Sequence, residues 1–130
     1  MERKDITSTS DIITLVDSFY AKVRQDSLLA PIFNSVIQDD WQVHLEVMYT
    51  FWETVLLGKR SYYGNPFIPH TELPVSTVHF NQWLVLFNGT LDELFSGEIA
   101  DEARWRAQKM AEMFQNKIES FRETNKRPLI

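Results

Sequence analysis

The sequence contains no cysteine, and that absence removes several chemistries at once. There can be no disulfide framework, no thiolate metal site and no C-x-x-C-H motif for thioether attachment of a tetrapyrrole. Glycine is nearly as scarce, with four residues in 130, each isolated. Neither a G-x-S-x-G elbow nor a phosphate-cradling glycine loop is present, so ordinary hydrolase and nucleotide-binding readings lose their support. Long apolar runs are missing too: WLVLF and VLL are far too short to span a bilayer. The opening MERKDITSTS is polar and does not read as a secretory signal, so a cytoplasmic location is expected. Positive charge is in deficit, with 13 Lys and Arg against 18 Asp and Glu and a net charge of −5. Nucleic acid and anionic membrane are therefore not expected as partners, since both require a basic footprint.

What is present is apolar and aromatic: 44% hydrophobic residues and 13% Phe, Trp and Tyr, enough for the core of one domain. A single domain over 1–130 is expected, with about 1–8 and about 123–130 frayed, the latter including Lys126-Arg127. Helical periodicity recurs four times. Ile12, Val16, Phe19, Tyr20 and Val23 share one face, with the Ser/Thr cluster at 7–10 available as a cap and Pro31 marking where that helix has ended. A second segment, from about Asp40 to Leu57, presents Trp41, His44, Leu45, Met48, Phe51, Trp52 and Val55, and Gly58 is its expected stop. Residues 59–75 carry Gly64, Pro66, Pro69 and Pro74, which excludes a long regular helix there. A third helix is predicted over Thr77 to Phe95, capped by Ser76 or Thr77, and a fourth over about Glu98 to Thr124. No segment alternates as a strand, so the fold class is all-α. Asn88-Gly89-Thr90 matches a glycosylation pattern but falls inside the third helix, and is dismissed.

Three histidines are the main candidates for chemistry. His44 lies on the aromatic face of the second helix, either as a partly buried histidine satisfied by a neighbour or as a polar group in a ligand pocket. His79 opens the third helix, where an imidazole can serve the helix terminus or face solvent. His70 sits in NPFIPH, on proline-stiffened backbone among apolar residues, and could serve as an axial metal ligand. No H-E-x-x-H, Glu-x-x-His pair or EF-hand loop occurs, so zinc and di-iron carboxylate sites are not expected. The carboxylates of the second and fourth helices read as a solvated face. His44, Met48 and Phe51, at i, i+4 and i+7, would face one cavity, and Tyr20 lies on the stripe of Val16 and Val23.

The stretches DIITLVDSFYAKVRQD, LAPIFN, DWQVHLEVMYTFW, YYGNPFIPH and LPVSTVHFNQWLVLF, followed by an alanine-spaced helix, resemble the group III truncated haemoglobins from about Asp11 to Phe121. The glycine pairs of the other truncated groups are absent, which fits group III. The resemblance implies a globin-like, shortened two-over-two helical sandwich around haem b (iron protoporphyrin IX). Without cysteine, that haem would be held non-covalently. It makes His70 the proximal iron ligand. Tyr20, Trp83 and His44 resemble the distal residues that stabilise an iron ligand. Phe33 resembles the phenylalanine packed on the porphyrin, and Met48, Phe51, Trp52 and Phe80 are further candidate walls. For the propionates Tyr63 is the candidate, or Lys59 or Arg60 by charge. The implied function is binding of dioxygen, nitric oxide or carbon monoxide at the iron, in oxygen or nitric-oxide handling. The alternatives are a haem enzyme of peroxidase or nitric-oxide dioxygenase type, fed by an unidentified reductase, and a non-haem helical interaction module.

Overall fold

The apolar stripe that begins at Ile12 becomes the first of five helices in the computed structural model, which describes residues 3–62 and 75–126, with side chains as far as Ser120. These helices are α1 Thr9–Val23, α2 Ala30–Ile37, α3 Trp41–Leu57, α4 Thr77–Leu94 and α5 Glu98–Lys126, and no strand occurs among the described residues. Ser8 caps α1 from extended backbone, its side chain accepting from the Asp11 N–H at 3.3 Å. Asp11 in the first turn and Lys22 in the last suit the helix dipole. Gly58 ends α3 at φ 71°, the left-handed stop expected of it. At the start of α4 the Ser76 N–H donates to His79 Nδ1 at 3.0 Å, so His79 serves the helix terminus.

One expectation needs correction. Pro31 does not simply mark the end of the first helix; it lies in the first turn of α2, where its missing N–H costs nothing. The Asp26 carboxylate prepares that start by accepting from the Leu28 and Leu29 N–H groups at 3.1 and 2.9 Å. In the N-terminal segment, Lys4, Asp5 and Ile6 are tied to the body of the fold. Ile6 is 1% exposed, and the Ser96 N–H donates to the Lys4 carbonyl at 3.0 Å. The Asp5 carboxylate caps α5 from across the sequence, accepting from Ile99 N–H at 3.0 Å and Ala100 N–H at 2.9 Å. Gly97, at φ 143°, makes the approach possible, because a Cβ there would stand 2.5 Å from Asp5 Cγ.

The helices pair as two layers, α1 against α3 and α4, and α4 against α5. Phe19, Phe87, Leu15, Leu91, Ile12 and Ile118 fill the centre, each at most 2% exposed. Ala100, Ala103, Ala107 and Ala111 recur at helical spacing and are buried, and small side chains of this kind let α5 lie close to its neighbours. Lys22 joins α1 to α4, donating to the buried Thr90 hydroxyl at 3.1 Å and to Glu93 at 2.9 Å. No described helix is long and apolar enough to cross a membrane.

The N-terminal anchor makes an acid-sensitive contribution. Burial works to raise the Asp11 carboxyl, but the Lys4 ammonium at 2.7 Å and the Thr7 N–H at 2.9 Å outweigh it and hold the group at about 2. A carboxyl whose pKa is lower in the folded state stabilises fold above its unfolded value and stops doing so as pH falls through the folded value. Asp11→Asn is therefore expected to cost on the order of 2 kcal/mol at neutral pH. The gap from the parent should narrow as pH falls from about 4 to about 2, as denaturant titrations at the two ends of that range would show. A gap that stays constant with pH would count against this role for Asp11.

Candidate functional site

Successive residues on a helix point about 100° apart, and Phe19 and Tyr20 use that angle to face two different neighbours. Phe19 turns to α4, with its ring 5.3 Å from Trp83 and 5.2 Å from Phe87, both edge-on. Tyr20 turns to α2 and the start of α3, with its ring 4.9 Å from His44, 6.0 Å from Trp41 and 6.1 Å from Phe33. The two rings meet each other edge-on at 4.8 Å. Tyr20, proposed with His44 and Phe33 from motif, is thus in ring contact with each of them, and Trp83 is linked to it through Phe19.

Tyr20 is 5% exposed, and burial pushes its phenol above the ordinary tyrosine value. The hydroxyl therefore keeps its proton throughout the physiological range and remains a neutral donor. Trp83 lies parallel to Phe87, at 5.3 Å and 2°, and Phe87 in turn stacks on Trp52 at 5.0 Å. Trp52 and Phe51 are buried, and Phe51 also meets Tyr62 at 5.2 Å. Trp52 thus belongs to the aromatic packing between α3 and α4, and Phe51 packs beside it against Tyr62.

Phe33, Met48, Phe80 and Trp83 are only half-buried, although each packs against the core. Large apolar side chains left partly covered around a buried phenol and an imidazole fit a flat, apolar prosthetic group lying against them. His70 and Tyr63 lie outside the described residues. The approach to their segment is fixed from α3: Thr54 Oγ1 accepts from the Ser61 N–H at 3.2 Å and the Tyr62 N–H at 3.0 Å.

Glu53 departs from the solvated face expected of the carboxylates on this helix. It accepts from Thr9 Oγ1 at 2.5 Å and Ser61 Oγ at 2.9 Å, and these bonds hold its carboxyl below the usual range. Lys59, a charge-based candidate for the propionates, donates to Thr9 at 2.7 Å in the same network. It lies beyond the Gly58 stop, and from His44 to the end of α3 at Leu57 the helix rises about 20 Å. Lys59 is thus placed away from the Tyr20–His44 cluster, and Arg60 is exposed.

Sequence reasoning missed Phe19 and Trp41 as members of the site. Phe19 is the hinge between the two halves of the cluster. Trp41 is 7% exposed and touches both Tyr20 and His44. Its i, i+3 spacing to His44 was the available signal, but a tryptophan on an apolar face reads first as a core anchor.

Comparison with known proteins places the chain in a family. The family model for bacterial-like globins matches residues 4–119. A group 3 truncated haemoglobin of Campylobacter jejuni is 36% identical over 114 residues, covering 85% of this chain and 90% of that protein. The crystal structure of a group III truncated haemoglobin from Campylobacter jejuni superposes with a TM-score of 0.82 at 35% identity, covering 89% of this chain and 94% of the other. By family model, sequence identity and fold, the chain belongs to the bacterial-like globin family, as a truncated haemoglobin of group III.

Proposed function

We propose that this globin holds haem b non-covalently, that His70 would ligate its iron, and that Tyr20, Trp83 and His44 would stabilise a small molecule bound there. Bound haem would supply an iron at which a diatomic molecule such as dioxygen, nitric oxide or carbon monoxide can bind. The observation that carries the reading is Tyr20: a buried phenol that keeps its proton, in ring contact with an imidazole and with the half-buried Phe33.

The chain's own residues then determine how a small ligand is held. The Tyr20 hydroxyl donates without changing charge, and the rings of Phe19, Phe33, Trp41 and His44 fix the direction in which it can point. Trp83 offers an indole N–H that can only donate, and its stack on Phe87 limits where that N–H can go. His44 adds a polar ring at the half-buried edge of the cluster. Aromatic walls keep bulk water from competing for these donors, which strengthens each hydrogen bond they make. A ligand that gains negative charge at its outer atom is held tightly by such a set. Tight holding suits oxygen or nitric-oxide chemistry better than reversible bulk transport.

The test is haem reconstitution of the purified chain. One equivalent of haem should give a Soret band, and His70→Ala should lose the parent spectrum because an axial nitrogen has been removed. A His70→Ala protein with an unaltered spectrum would refute the ligand assignment.

A further inference from the structure

Trp41, the first residue of α3, is gripped by three helices at the edge of the Tyr20–His44 cluster. Its ring meets Tyr20 at 6.0 Å and His44 at 5.7 Å, both edge-on. The exposed Arg24, at the α1 C-cap, lays its guanidinium 4.7 Å from the centre of the indole. The indole N–H donates to Asn34 Oδ1 of α2 at 3.0 Å. Three different interactions, from α1, α2 and α3, thus converge on one buried side chain between exposed residues and the site.

From this geometry we infer that Trp41 is a positioning residue, a clasp fastened by Arg24 and Asn34 that holds the His44 ring against Tyr20 and restricts ligand entry at this corner. The inference rests on the proposed ligand-side role of Tyr20 and His44. His44 stands nearly perpendicular to both neighbours, at 88° to Tyr20 and 87° to Trp41. It cannot swing away from that corner without disturbing the indole edge. The indole in turn cannot shift without losing its hydrogen bond and its cation. Arg24 and Asn34 are both exposed, so either can be replaced without touching the rings of the cluster.

The experiment uses the ferrous, haem-loaded protein with carbon monoxide as probe. Two quantities are read: the bimolecular rebinding rate after flash photolysis, and the His44 ring signals by NMR in the carbon-monoxide form. Trp41→Leu removes both ring contacts and should raise the rebinding rate about tenfold, with altered His44 signals. Arg24→Ala and Asn34→Ala should each raise it about two- to threefold in the same direction. Trp41→Phe keeps an aromatic edge and should fall between the parent and Trp41→Leu. Should Trp41→Leu fail to fold, the two surface variants decide the matter. Unchanged rebinding and unchanged His44 signals across the clasp variants, while Tyr20→Phe still alters ligand dissociation, would overturn the clasp alone. A Tyr20→Phe protein with unaltered dissociation would instead overturn the ligand-side reading on which the clasp depends.

Discussion

Replacing Tyr20 with phenylalanine is expected to make dioxygen leave the haem-loaded protein about ten- to a hundredfold faster. A hydrogen bond to a charged partner is worth roughly 1.5–3 kcal/mol, and each 1.4 kcal/mol is about a factor of ten in rate. The substitution removes one oxygen atom and leaves the ring that packs on Phe19, Phe33, Trp41 and His44, so a change in dissociation reports on the hydroxyl and not on a collapsed wall. Association should move far less. Because burial raises the phenol's pKa, the difference between parent and variant should also hold steady from neutral into mildly alkaline solution. Displacement of dioxygen by carbon monoxide in a stopped-flow instrument measures the rate directly. An unchanged rate would remove Tyr20 from the ligand's surroundings.

Phe87→Ala is expected to destabilise the fold by about 3–5 kcal/mol, the usual cost of emptying a buried aromatic site. Phe87 is 1% exposed, lies between the rings of Trp52 and Trp83, and receives the edge of Phe19. Its removal opens a cavity where α1, α3 and α4 meet, and the two tryptophans that bound it cannot both close in. Against a total stability of about 5–15 kcal/mol for a domain, this is a large fraction. Chemical denaturation of the parent, Phe87→Ala and the milder Phe87→Leu would give the series, with leucine falling between the other two. A loss below about 1 kcal/mol for alanine would show that the stack is not what holds the three helices together. The same cavity frees one face of Trp83, so ligand dissociation should rise in any folded alanine variant.

Much of this architecture was legible because helix signals are local. Ser8, Gly58 and Ser76 mark helix ends by their own backbone preferences, and the stripes of α1, α3, α4 and α5 repeat over enough turns to be read. The eight residues of α2 do not repeat often enough, and Pro31 can either follow one helix or open the next. The site was less legible from physics alone. Spacing put Tyr20 on the inner stripe of one helix and His44 on the aromatic face of another, but nothing local says that the two faces meet. Only the order of motifs brought them together. Glu53 looked like any surface carboxylate because its partners, Thr9 and Ser61, lie 44 residues before it and 8 after it. Trp41 was hidden by its resemblance to an ordinary core residue.

The Asp5 cap on α5 also has a temporal side. Its acceptor oxygens and the N–H groups they receive are separated by 94 and 95 positions, so the link cannot form until most of the chain has been synthesised. During synthesis the segment carrying Asp5 and Ile6 must wait for α5 to emerge before this cap can form. The segment around Asp5 is therefore late to find its place although it is made well before α5, and α5 is fastened by it.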